Sequence, residues 1–318
     1  MIGKLLAEGA GKLKELGLGN LKENGAETGS SSRITHQYID SLTIEIRAID
    51  SVEAATQMSL FGDVFDTPVM TAALSGLGAI CPNPMVEVAK GAKAAGAVMW
   101  VGIGEGEELK AIIETGARTV KIVKPYRDKD LIFAKLAEAE KYGAFAVGMD
   151  TIFGFGGKSK DSLIRPDLMS PKTLADIQSF VKATKLPFIL KGILSEQDAY
   201  KALEAGASAI VVSHHGGNII DYAVPPLKIL PLIAKVVDGK IPIFVDGGIE
   251  RGVDVFKALA LGANGVLIGR SVMAGLAANG SEGVRKLIAG TNEELRRVMS
   301  LTNCAKLDKI NSELIWHL

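Results

Sequence analysis

From residue 68 onward, short runs of β-branched and aliphatic residues alternate with longer stretches whose apolar positions recur every three to four residues. The runs are PVMTAAL (68–74), AVMWVG (97–102), RTVKIV (118–123), AFAVGMD (144–150), PFILKG (187–192), SAIVVSH (208–214), IPIFVDGG (241–248) and NGVLIGR (264–270). A short, nearly continuous apolar run is the mark of a strand buried on both faces, as in a parallel sheet covered by helices. The stretches between them, such as NPMVEVAKGAKAAG (83–96) and SEQDAYKALEAGA (195–207), have the period of amphipathic helices. Several open on Asn, Asp or Ser and close on Gly, the residues that cap helix ends. Eight strand–helix units in about 200 residues predict an α/β fold, specifically a closed (β/α)8 TIM barrel rather than an open doubly wound sheet. The dinucleotide fingerprint GxGxxG is missing after the first strand; GIGEGEE, after the second, matches it only in part.

Two segments fall outside the repeat. Residues 1–67 precede the barrel and are expected to form a helical extension or cap, which divides the chain into 1–67 and a barrel over 68–318. Residues 151–170, TIFGFGGKSKDSLIRPDLMS, form a long glycine-rich connection after the fourth strand. Connections of that length in compact domains are characteristic of lids or mobile segments.

Composition narrows the function classes. The 318 residues carry 36 basic and 36 acidic side chains, so the formal net charge is zero. That balance gives no basis for expecting nucleic acid or an anionic membrane as partner. No apolar run reaches the roughly 18 residues needed to span a bilayer. MIGKLLAEGAGKLKELG at the start reads as an amphipathic helix rather than a signal peptide. The two cysteines, Cys81 and Cys304, are far apart and form no CxxC pair. A reduced, cytoplasmic setting without a metal site is the expectation.

In a barrel of this type, chemistry gathers where the strands end. Asp150 follows the fourth strand, Lys191 the fifth, and Ser213, His214 and His215 the sixth. Asp246, Gly247 and Gly248 follow the seventh, and Gly269 and Arg270 the eighth. One polar residue at a strand end carries little information, but Asp, Lys, His, Asp and Arg at five successive ends form a constellation. DGGIERG (246–252) and IGRS (268–271) place glycine amides and an arginine beside helix starts, an arrangement suited to a phosphate.

LKGILSEQDAYKALEAGASAIVVSHHGG (190–217) and DGGIERGVDVFKALALGANGVLIGRSV (246–272) closely resemble the FMN-dependent α-hydroxy acid oxidase/dehydrogenase family, which includes glycolate and lactate oxidases. The resemblance extends from about residue 25 to 315 and persists through RRVMSLTNCAKLDKI (296–310). It implies FMN lying across the strand ends, with its phosphate in the last two loops. Lys191 then falls beside the N1–C2=O edge of the flavin, where an ammonium stabilises the anionic reduced ring. His215 falls on the base that takes the substrate's hydroxyl proton, and Asp150 on the aspartate that supports the imidazolium. Asp246, Gly247, Gly248, Arg251, Gly269 and Arg270 match the phosphate region. Ala72 and Ala73 match the backbone contacts of the first strand, and Ser213 belongs with the cofactor set. His214 stands where the family carries asparagine, so it is expected to be a supporting polar residue. The resemblance also implies a small anionic substrate and a homo-oligomer, by the family's habit a tetramer, and leaves the electron acceptor open.

The substrate side of the pocket departs from the family. Asn218 stands where an arginine follows the base by three residues, and Gly157 or Lys158 where a second arginine belongs. Lys22 and Lys124 replace two pocket tyrosines, Ile122 a flavin-contacting glutamine, and Glu250 a phosphate-region arginine. A guanidinium grips a carboxylate through two parallel hydrogen bonds, which neither asparagine nor lysine reproduces. Lys22, Lys124, Lys158 and Asn218 are the candidate substrate contacts. Two alternatives stand beside oxidation of a 2-hydroxy acid. One is a reduced-FMN isomerase of the type 2 isopentenyl diphosphate isomerase kind, which shares the barrel and phosphate loops. The other is a flavoprotein with little catalytic activity.

Overall fold

A computed structural model of the chain describes residues 2–18, 25–104, 106–159 and 162–318. Each apolar run forms a strand: β1 Val69–Thr71, β2 Met99–Val101, β3 Thr119–Val123, β4 Ala146–Asp150, β5 Phe188–Ile193, β6 Ala209–Val212, β7 Ile243–Asp246 and β8 Gly265–Ile268. Neighbours pair in parallel from β2 round to β8, and β8 pairs with β1. The seam between β1 and β2 closes more sparsely. It has a parallel bridge from Leu74 to Val101, a bond from Gly102 N to Leu74 O at 2.9 Å, and one from Trp100 N to the Thr71 hydroxyl at 2.8 Å. The result is the (β/α)8 barrel that the periodicity predicts.

Alternation along the strands sorts side chains into two cores. Val98, Trp100, Val120, Ile122, Val211 and Phe244 fill the barrel interior, where Trp100 meets Phe244 edge to face at 5.8 Å. Their neighbours one residue along, among them Met99, Val101 and Val212, face the surrounding helices. Caps follow the sequence signals: Asp128, Thr173 and Ser195 side chains accept backbone N–H groups at the starts of Lys129–Tyr142, Leu174–Lys182 and Glu196–Glu204.

The residues before the barrel are packed into it. The hairpin Met58–Leu60/Asp63–Phe65 pushes Met58, Leu60 and Phe65 into the interior core. The helix Ile2–Glu15 lies on the long C-terminal helix Arg270–Leu301, so closely that a Cβ on Gly9 would collide with the Ala274 backbone. The helix Ser30–Ser41 sits over the loops after β6 and β7, and Lys257 Nζ donates to Ile39 O at 2.8 Å near its end. Leu42–Ile44 pairs antiparallel with Ile315–His317 and ties the two ends of the chain together.

The connection over 151–170 carries secondary structure of its own. It holds a 3-10 turn at Thr151–Phe153, an antiparallel pair Gly157–Ser159/Ser162–Ile164, and a second 3-10 turn at Pro166–Leu168. Lys158 N donates to Asn218 O at 2.7 Å, which joins this hairpin to the loop after β6.

Candidate active site

Asp150 and Lys191 are register partners on adjacent parallel strands, so both side chains point to the same side of the sheet. After Lys191 the ladder with β6 slips, and Gly192 takes φ +93°. A Cβ on Gly192 would strike Ile152, so glycine is required where the strand bends past the next turn.

Lys191 Nζ donates to Ser213 Oγ at 2.7 Å and stands 2.9 Å from Asp246 Oδ2, drawing together the ends of β5, β6 and β7. Burial disfavours its ammonium, but Asp246 and Asp150 outweigh that cost and raise its pKa. It is a permanent buried cation at the floor of the site.

The loop after β6 explains the two glycines in SHHGG. His215, Gly216 and Gly217 all take positive φ, at 54°, 67° and 81°. Two glycines reach that region without strain, whereas His215 is held there by its surroundings. Its backbone N–H donates to Ser213 Oγ at 3.0 Å. Its ring packs on Phe153, with centroids 4.9 Å apart. His215 Nδ1 lies 2.7 Å from Asp150 Oδ2, a close electrostatic contact off the line of an aligned hydrogen bond. With Nδ1 facing a carboxylate, Nε2 is left as the nitrogen that accepts a proton. Burial would raise the Asp150 carboxyl, but Lys124, His215 and Lys191 reverse this and hold it well below the usual carboxylate range. Burial also lowers the His215 pKa, against the pull of Asp150, so the imidazole rests neutral at neutral pH.

His214 is a different case. It is buried, its Nε2 lies 2.9 Å from Thr35 Oγ1, and a Cβ on Gly247 would meet its ring. Burial, only partly opposed by Asp246, pushes its pKa down to about 4. It braces the loop after β7 against the helix Ser30–Ser41, and its surroundings are those of a supporting group.

A cavity of about 430 Å³ opens at these strand ends. Of the residues expected to hold a cofactor, Ala72, Ala73, Lys191, Asp246, Gly247, Gly248, Gly269 and Arg270 line it, together with His215 and Asn218. Gly247 and Gly248 have φ +100° and +78°, so their backbone forms a wall no side chain could replace without strain. Arg270 begins the long C-terminal helix there and donates to Gly216 O at 2.7 Å. A helix start, glycine amides and a guanidinium make an anion site. The apolar side chains of Leu74, Ile249, Leu267 and Met273 on the cavity wall, a buried ammonium and the unpaired Asp246 Oδ1 fit the remaining parts of a flavin mononucleotide.

Four of the expected residues do not line the cavity. Arg251 is exposed and pairs with Glu294 at 2.6 Å, so it braces the helix Gly252–Ala260 outside the cavity wall. Ser213 is fully buried beneath the site, and its hydroxyl is taken up by Lys191 and His215. Lys158 pairs with Glu27, tying the hairpin to the N-terminal segment. Lys124 is buried, off the cavity wall, with Nζ 2.9 Å from Asp150 Oδ2, because a desolvated ammonium needs a carboxylate. Lys22 lies outside the described residues. The sequence did not reveal His36 and Ser271, which also line the cavity. His36 comes from the helix Ser30–Ser41, whose docking face no local pattern marks. Among the described residues no cluster of metal-ligating side chains occurs, and no helix is long and apolar enough to cross a membrane.

Residues 19–164 and 156–317 match the family model described as FMN-dependent dehydrogenase. The chain is 48% identical over 135 residues to peroxisomal (S)-2-hydroxyacid oxidase GLO3 of Arabidopsis thaliana, an alignment that covers 42% of this chain and 37% of that relative. Against the L-lactate oxidase of Lactobacillus jensenii it is 32% identical over 286 residues, covering 80% of this chain and 70% of that one. The crystal structure of mandelate oxidase superposes with a TM-score of 0.89 at 28% identity, over 100% of this chain and 98% of the other.

Proposed function

We propose that this chain, which belongs to the FMN-dependent dehydrogenase family and has FMN as its cofactor, oxidises a small 2-hydroxy acid to the 2-oxo acid. The observation that carries this reading is the placement of His215 over Asp150 at the mouth of a cavity floored by Lys191. FMN, when bound, supplies the acceptor for the two electrons and the hydrogen that leave the substrate's α-carbon. His215 Nε2 takes the hydroxyl proton, so that one C–H and one O–H bond break as the C=O bond forms. Asp150 keeps the ring oriented and offsets the charge of the imidazolium. Lys191 holds positive charge where the cofactor gains an electron pair. Asn218 on the cavity wall is the candidate contact for the substrate's anionic end.

Anaerobic mixing with a panel of 2-hydroxy acids, followed by flavin absorbance, tests the assignment. Bleaching by one of them supports it; turnover only after chemical pre-reduction identifies a reduced-FMN isomerase instead, and no response at all a flavoprotein with little catalysis. Reoxidation of the bleached form by oxygen, a quinone or a protein then names the electron acceptor. With the substrate found, His215→Asn is expected to slow flavin reduction roughly a hundredfold or more while FMN stays bound. Asp150→Asn falls between that variant and the wild type. Equal rates for wild type and His215→Asn reject the base. A cytoplasmic location agrees with the free thiols of Cys81 and Cys304, and a homotetramer is the expected assembly, checked by light scattering.

A further inference from the structure

Asp150 Oδ2 serves two nitrogens at once. Lys124 Nζ, from the end of β3, donates to it at 2.9 Å, and His215 Nδ1 approaches the same oxygen at 2.7 Å. Phe153 lies between the two: the Lys124 ammonium stands 3.8 Å above its ring, and the His215 ring packs on it at 4.9 Å. Lys124 is 7% exposed and Asp150 1%, so this charge pair is insulated from solvent screening.

We propose that Lys124 is a positioning residue for the base: by sharing Asp150 with His215, it keeps the imidazole neutral and ready to accept a proton under acidic conditions. The inference rests on the reading of His215 as the base and deepens it. A carboxylate serving one imidazole alone would draw a proton onto it in the resting enzyme, and a protonated base takes no proton from a substrate. A second cation on the same oxygen weakens that pull. The other charged or titratable groups facing His215 are Lys191 from β5 and His214 beside it, while Lys191 and Arg165 face Lys124. Of these, Lys124 is the one bound to the oxygen that His215 approaches. The lowered His215 pKa, due first to burial and then to Lys124 and Lys191 acting against Asp150, agrees with this geometry. Burial likewise lowers the Lys124 pKa while Asp150 opposes it.

The test uses holoenzyme carrying Lys124→Met, Lys124→Gln and Lys124→Arg. Gln keeps a donor to Asp150 without charge, and Arg keeps the charge. Flavin reduction by the active 2-hydroxy acid is followed against pH, and the His215 ring is titrated by 15N NMR on histidine-labelled protein. For Met and Gln the expected result is a loss of roughly tenfold on the acidic side, the scale of one neighbouring charge, that shrinks toward alkaline pH. The NMR midpoint of His215 moves up in both, and Arg restores both readouts toward wild type. A loss of equal size at every pH, or an unmoved His215 midpoint in either neutral variant that retains FMN, overturns the proposal. A raised midpoint with no flavin reduction by any 2-hydroxy acid leaves the proposal standing and removes the oxidation instead.

Discussion

His214 and His215 are neighbours in the chain with opposite surroundings, and each has its own measurable consequence. His214 is buried against Thr35 and Gly247 with its pKa pushed down to about 4, below the value of about 6.5 for a free histidine. The unfolded chain therefore binds a proton that the folded one refuses. Stability rises with pH across that window and is lost as pH falls from about 6.5 to 4, by about 3 kcal/mol if His214 acts alone. His214→Asn is expected to flatten the melting temperature over this window and to leave most flavin reduction intact. A pH profile parallel to wild type rejects the buried neutral histidine. Lys191 carries the opposite burden, a buried charge balanced by Asp246 and Asp150. Lys191→Met leaves both carboxylates less compensated where, in the proposed function, the reduced cofactor is anionic. The flavin midpoint potential should fall by roughly 30 mV or more, a tenfold change in a two-electron equilibrium. An unchanged potential places the ammonium away from the ring. The constellation of Asp, Lys and His was legible because strand ends in a barrel converge. The fate of Lys124 was not, since its partner lies 26 residues along the chain, on the next strand.

At the level of elements, the site depends on a helix outside the repeat. The helix Ser30–Ser41 supplies Thr35 to His214 and presses Ile39 and Thr35 against Gly248. A Cβ on Gly248 would lie 2.9 Å from Ile39 Cδ1 and 3.1 Å from Thr35 Cγ2, at φ +78°. Gly248→Ala is expected to destabilise the protein by about 1–3 kcal/mol and to weaken FMN binding, because the loop must shift away from the anion it faces. Calorimetric melting and FMN titration measure the two effects, and a variant equal to wild type in both shows that the loop yields freely. Strand and helix periods made the barrel elements readable, since each is set by local alternation of apolar and polar positions. The hairpin within 151–170 left no such trace. Its two short strands, rich in Gly, Lys and Ser, present no apolar face of period two, and only their pairing and the Lys158–Asn218 bond define it.

For the molecule as a whole, the cofactor is expected to add to the fold's stability. The cavity wall is assembled from residues at the ends of β1, β5, β6, β7 and β8 and from the N-terminal extension, so FMN bound there, as proposed, would tie together parts far apart in sequence. Removing FMN should lower the melting temperature by several degrees, and adding it back at a hundredfold excess over Kd should restore about 2.7 kcal/mol. Chromatography of the heat-released pigment is expected to give FMN; FAD, or no shift on adding FMN back, contradicts the single-phosphate site.

The amino-acid order by itself determined the eight strands, their parallel sense and the residues at their ends. Each of those follows from local periodicity and from the rule that parallel strands joined by helices all end on one face. Tertiary structure alone decided which charges meet. Arg251 turns outward to Glu294, Lys158 to Glu27 and Lys124 inward to Asp150, because a charged side chain goes where burial and the nearest opposite charge send it. Those neighbours belong to other elements, and no local pattern in the chain names them.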